Sequence, residues 1–118
     1  MISNRFEVSQ EETVQVLRLA LPDQMDGMEI DTIIDSVLRS LEGKSQNSWV
    51  LDLSDVAYMG SSMLGLMVNI RERIRQGGGS LVLCGLSTQL MRIFQTCCLE
   101  RLFRIAKTRP EALAIASR

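Results

Sequence analysis

The sequence of 118 residues contains no histidine. That absence removes Ser-His-Asp and Cys-His catalysis and every His-ligated metal site. Nor is there an excess of charge of one sign: 13 Lys and Arg stand against 14 Asp and Glu, a formal net charge of -1. A dedicated nucleic-acid binder is usually clearly basic, so no direct nucleic-acid partner is expected. No apolar run approaches the roughly 20 residues of a membrane helix. Residues 1–7 lack the basic-then-apolar pattern of a secretion signal. There is no C-x-x-C pair, only Cys84 and the adjacent Cys97 and Cys98, as expected of free thiols in a reducing compartment. These absences lead us to expect a cytoplasmic protein without cofactor, metal or membrane insertion. All three cysteines lie among apolar residues and are expected to be buried.

Hydrophobic residues make up 46% of the chain and charged residues 23%, enough for one globular core. No internal repeat, low-complexity segment or linker divides the sequence, and 1–118 reads as a single domain. Residues 5–9 and 13–19 lean to strand and predict a hairpin around the polar turn Gln10-Glu11-Glu12. After the break at Pro22-Asp23, Asp26 followed by Glu29 resembles a capping box. It opens a helix whose apolar face is Ile30, Ile33, Ile34, Val37, Leu38 and Leu41, with Gly43 as the stop. Residues 49–53 predict an interior strand. The loop 54–62 then leads into a helix burying Met63, Leu66, Met67, Ile70 and Ile74, ended by Gly77-Gly78-Gly79. Leu81 to Cys84 predict a strand covered on both faces. Ser87 or Thr88 caps a third helix carrying Leu90, Ile93, Phe94 and Cys97. A weak strand at 102–105 and a helix opening near Pro110 follow. The order implies an α/β fold, a mixed sheet of four to five strands with helices packed against it.

One stretch carries more than fold information: Val50-Leu51-Asp52-Leu53-Ser54-Asp55-Val56-Ala57-Tyr58-Met59-Gly60-Ser61-Ser62-Met63-Leu64-Gly65. It resembles the central motif of STAS domains, the family of bacterial anti-sigma-factor antagonists. In that motif an apolar strand ends in Asp-Leu-Ser, and Asp-Ser-Ser-Gly-Leu-Gly opens a helix. The resemblance extends over nearly the whole chain. It implies a non-enzymatic regulator that binds a serine-kinase anti-sigma factor, frees the sigma factor, and is switched off by phosphorylation of the motif's first serine. Carried onto this sequence, the phosphoacceptor is Ser61. The partner-binding surface comprises Gly60, Ser62, Met63 and Leu64, with Met25 and Asp26 beside them. Gly60 replaces the family's Asp, and Met63 replaces its Gly. Those departures leave a second reading, an unphosphorylated STAS scaffold or a subunit of a larger assembly such as a stress-sensing complex or a lipid-transport ATPase. Local sequence alone leaves a third option for Ser61, a plain helix cap.

Other features carry less. Asp26, Asp52 and Asp55 fit no metal-binding spacing. Gly77-Gly78-Gly79 follows a helix and lacks the Gly-Lys-Ser/Thr of a phosphate loop. The first 35 residues are acidic and residues 101–118 basic, through Arg101, Arg104, Lys107, Arg109 and Arg118. Such segregation either steers a partner or reflects solvated faces. Of Met25, Met28, Met59 and Met63 near the motif, Met63 is the one expected to reach the surface.

Overall fold

The computed structural model describes residues 5–117. Residues 1–4, part of the segment read for a secretion signal, and Arg118 lie outside the described residues. Strands β1 (Phe6–Glu11) and β2 (Val14–Leu21) form an antiparallel hairpin. Strand β2 then runs parallel to β3 (Ser48–Val56), β3 to β4 (Ser80–Cys84), and β4 to β5 (Arg104–Ala106). The result is a five-stranded mixed sheet in the order β1-β2-β3-β4-β5, the upper end of the expected range. Parallel neighbours need a crossover. Helices α1 (Gly27–Ser40), α2 (Ser61–Gln76) and α3 (Thr88–Thr96) supply those crossovers, the last with a 3₁₀ turn at Leu99–Arg101. Helix α4 (Arg109–Ala116) follows β5.

Alternation along the strands sets the layers. Trp49, Leu51 and Leu53 of β3 face Ile33 and Val37 of α1, Leu66 and Ile70 of α2, and Phe94 of α3. Val50 points the other way and joins Val14, Val16 and Val82 beneath Ala112 and Ala116 of α4. A strand with helices on both faces must be apolar on both, and Trp49 to Leu53 meets that demand everywhere except at Asp52. The small side chains of α4 let that helix lie close on a valine-rich surface.

Several boundaries differ from expectation for physical reasons. Glu11 pairs with Val14, so the hairpin loop is Glu12-Thr13, with Glu12 in the left-handed region at φ 56. Gln10 and Glu11 of the polar run that suggested an earlier turn are strand on the outer edge of the sheet, where polar side chains meet water. Strand β3 continues past Leu53 to Val56, because β2 goes on pairing with it beyond a bulge between Arg18 and Ala20. At the start of α1, Asp26 Oδ1 accepts the Glu29 N–H at 2.8 Å. The Glu29 carboxylate turns to Arg5 at 3.1 Å and does not complete a capping box. The helix leaves its axis at Leu41, and Gly43 turns the chain just afterwards at φ 75. Only Cys84 is buried. Helix α3 ends at Thr96, Cys97 caps it and Cys98 takes φ 58. The apolar stripe therefore stops before Cys97, and both adjacent thiols are exposed.

Gly85, just after β4, takes φ 77, and a β-carbon there would lie 2.9 Å from the Ser54 backbone nitrogen and 3.0 Å from Asp52 Oδ1. The left-handed backbone alone costs an L-residue about 1–2 kcal/mol. Gly85→Ala is expected to lose at least about 1–2 kcal/mol, read as a lower urea midpoint. An unchanged midpoint would show that the turn relaxes freely.

Candidate functional site

The site is built where the carboxyl ends of β3 and β4 hand over to helices, the usual location for binding in open parallel sheets. From Val56 the chain crosses the sheet end. Met59 turns inward and is buried, while Tyr58 stays outside with 53% of its surface exposed. Gly60 is the N-cap of α2 in extended geometry (φ -83, ψ -177) and has no side chain to accept a hydrogen bond. Ser61 is the first helical residue and is exposed. Its hydroxyl makes no hydrogen bond among the described residues. Helices α1, α3 and α4 are capped by Asp26, Ser87 and Thr108, at 2.8, 3.1 and 3.3 Å. The reading of Ser61 as a helix cap is therefore wrong: the cap is Gly60, and the hydroxyl is left for solvent or a ligand.

Two grooves flank this ridge. One of about 810 Å³ lies between the start of α2 and α3, with Ser61, Leu64, Arg92 and Ile93 among its walls. The other, about 530 Å³, runs toward α1 past Asp23, Met25 and Ile30. Tyr58, Gly60 and Ser61 line both. Ser62 is exposed and Leu64 half-buried. Asp26 is exposed and lines a separate groove with Arg5, Phe6 and Met28, its carboxylate engaged in capping α1.

Met63 is the exception. It is 3% exposed, packed into the core below α1 and α2. Its place in the third helical position aims it along the apolar stripe toward the sheet, so the replacement of Gly by Met adds to the core, and what little of Met63 is exposed lines the second groove. Of the four methionines near the motif, Met28 is the exposed one, at 82%. Tyr58 and the α3 residues were missed as site residues. Tyr58 stands inside the quoted motif, so a local signal was present. Arg92 had none.

A second polar cluster lies on the opposite face. Asp52, 5% exposed, is directly in register with Cys84. Its Oδ1 accepts from the Ser54 N–H at 2.9 Å and from the Ser54 hydroxyl. Its Oδ2 accepts from Arg109 Nε at 2.9 Å, and Arg109 also reaches Glu11 at 3.6 Å. Burial pushes the Asp52 carboxyl up, but the bonds from Ser54 and Arg109 outweigh burial and hold it below the ordinary 3.8. Burial, aided by the Asp52 charge, pushes the Cys84 thiol up to about 12, so it stays neutral. Of the trio Asp26, Asp52 and Asp55, the other two have their own tasks: Asp26 caps α1 and Asp55 pairs with Arg18. Among the described residues no cluster of Cys, Asp or Glu is arranged to hold a metal ion, and no helix is long and apolar enough to cross a membrane.

Residues 6–112 match the family model of the STAS domain. The chain belongs to the STAS family. An anti-sigma-B factor antagonist of Listeria monocytogenes is 38% identical over 61 residues, 52% of this chain and 54% of that protein. This STAS chain thus matches about half the length of that relative. BtrV of Bordetella bronchiseptica, described as a candidate anti-sigma factor antagonist, is 27% identical over 103 residues, 78% of this chain and 89% of that protein. A solved STAS-domain structure from Planctomyces limnophilus superposes with a TM-score of 0.84 at 24% identity, covering 97% of this chain and 99% of that one. The last likeness concerns the fold.

Two variants probe the STAS domain, one at the Ser61 ridge and one at the polar cluster on the opposite face. Gly60→Asp supplies the missing cap in a backbone region that any residue adopts, with Tyr58 no nearer than 3.9 Å to the new β-carbon. It is expected to stabilise by about 0.3–1 kcal/mol, seen as a higher melting temperature; no gain would mean the N–H groups of α2 are already satisfied. Arg109→Ala leaves the Asp52 carboxylate buried without its cation and is expected to cost about 1.5–3 kcal/mol at neutral pH. Because the folded Asp52 pKa is depressed, its stabilisation is complete above the unfolded value of about 3.9 and is lost as pH falls through the folded value. Acid unfolding below about pH 4, followed by circular dichroism, should therefore be shallower in Arg109→Ala than in the parent. An equal acid slope would remove Asp52 as its source.

Proposed function

We propose that this STAS protein is an anti-sigma factor antagonist whose binding face is the ridge around Ser61 with its two grooves. Unmodified, it binds a cytoplasmic anti-sigma factor that is also a serine kinase, and the sigma factor is released. The kinase then transfers the γ-phosphoryl group of ATP to Ser61 Oγ: the O–P bond forms, ADP leaves, and the hydroxyl proton passes to a base on the kinase. The observation that carries the reading is the Ser61 hydroxyl itself, exposed, unbonded and placed at the first position of a helix between two grooves. The names of the Listeria and Bordetella relatives support it.

The physics separates folding from binding. A phosphate on Ser61 meets the positive end of α2 and its unpaired N–H groups, which favours it by about 0.3–1 kcal/mol. The same group adds about -1.5 to -2 charge at the contact surface. A penalty of about 2.8 kcal/mol at the interface lowers affinity a hundredfold. Modification therefore acts on the complex and leaves the domain folded.

The test is a pull-down with wild-type and Ser61→Asp baits, phosphopeptide analysis of Ser61, and calorimetry with the purified kinase. Wild type should hold the kinase, carry phosphate on a fraction of Ser61, and in its unmodified form bind at least about a hundredfold more tightly than the variant, with the variant melting no lower than wild type. Equal recovery by both baits with Ser61 unmodified would overturn the switch and make the protein a constitutive subunit of an assembly.

A further inference from the structure

The groove between α2 and α3 has a composition of its own. Its inner wall is apolar, with Met59 buried and Leu64 and Ile93 half-buried. Arg92 is the one charged side chain lining it. Helix α3 contains no acidic residue. Arg92 is exposed and its guanidinium forms no ion pair among the described residues; its backbone carbonyl also accepts from the Thr96 hydroxyl at 2.8 Å. The neighbouring groove across the Ser61 ridge has the opposite character, with Asp23 its one charged residue. A guanidinium beside an apolar wall matches a carboxylate next to an apolar side chain, because its planar fork pairs oxygen atoms two at a time.

We propose that this groove receives an apolar segment of the anti-sigma factor bearing an Asp or Glu, and that Arg92 pairs with that carboxylate. The inference rests on the reading of the Ser61 ridge as the docking face and adds the chemistry of what docks there. It also refines how the switch works. Ser61 and Arg92 line the same groove, so a phosphate on Ser61 competes for the cation that the partner's carboxylate uses, and repels that carboxylate as well. One modification then removes an attraction and introduces a repulsion.

The test is calorimetry of the purified kinase against four forms of the full chain: wild type, Ser61→Asp, Arg92→Glu and Lys44→Glu. Lys44 precedes β3 whereas Ser61 follows it, so the control carries the same charge change at the far end of the sheet. Arg92→Glu should bind at least tenfold more weakly than wild type, with a smaller salt dependence, and Lys44→Glu within twofold of it. Replacing a partner carboxylate by Lys, one at a time, should restore binding to Arg92→Glu at one position. Arg92→Glu within twofold of wild type, while Ser61→Asp still binds a hundredfold more weakly, would overturn the groove and leave the Ser61 reading standing. Loss of binding by Arg92→Glu with no rescuing position would overturn the carboxylate. Wild-type affinity in both Ser61→Asp and Arg92→Glu would overturn the docking face itself.

Discussion

Strand β3 is hydrogen-bonded to a parallel neighbour on each edge and covered by helices on each face. Its side chains from Trp49 to Leu53 have no route to water, and the rest of the fold is arranged around that fact. On one side three helices present Leu, Ile, Val, Met and Phe; on the other α4 presents alanines to a valine surface. The single charge that enters this region, Asp52, is accepted because three donors from Ser54 and Arg109 replace its water. A buried carboxylate is tolerated only when so compensated. The compensation in turn ties the start of α4 to the middle of the sheet, and the turn at Gly85 has room for nothing larger beside it.

With stability concentrated in β3 and its two coverings, the end of the sheet is free to serve binding. There α2 begins without a side-chain cap, a small sacrifice, since a cap is worth about 0.5–2 kcal/mol over Ala but only a few tenths over Gly. What the missing cap leaves is a helix end whose N–H groups are available to an anion and a serine hydroxyl with no internal duty. In the proposed switch a phosphate on Ser61 would satisfy those groups, so the fold would accept the same charge that the interface rejects.

The two grooves share the Tyr58–Gly60–Ser61 ridge and differ in charge: Asp23 on the α1 side, Arg92 on the α3 side. On the proposed docking face such a charge difference would orient a partner, because reversing the docking would set like charges together. Exposed Tyr58 at its centre brings apolar area with little side-chain entropy to lose, the usual character of an anchoring contact. The segregation of acid and base along the chain contributes less than its linear pattern suggests. Arg109 from the basic end spends its charge on Glu11 and Asp52, inside the domain.

Local physics wrote much of this structure into the sequence. Apolar residues at offsets of three and four, and continuous apolar runs, depend only on near neighbours. They located α1, α2, β3 and β4, the mixed sheet, and the loop that places Ser61 at a helix start. Where an outcome depended on a partner from elsewhere, the sequence was silent. The extension of β3 to Val56 needed the bulged pairing with β2; the exposure of Cys97 followed from where α3 ends; the exposure of Met28 was decided by which face of α1 meets the core, whereas the burial of Met63 followed the helical spacing. Asp52 and Arg109 lie 57 residues apart and show no mutual pattern in the chain. Arg92 shares a groove with Ser61 because β3 and β4 are parallel neighbours, so the segments leaving their carboxyl ends emerge on the same edge of the sheet. The sequence determined which residues form each element and set the serine at a helix start; only the tertiary structure decided that an arginine on another helix would stand across the groove from it.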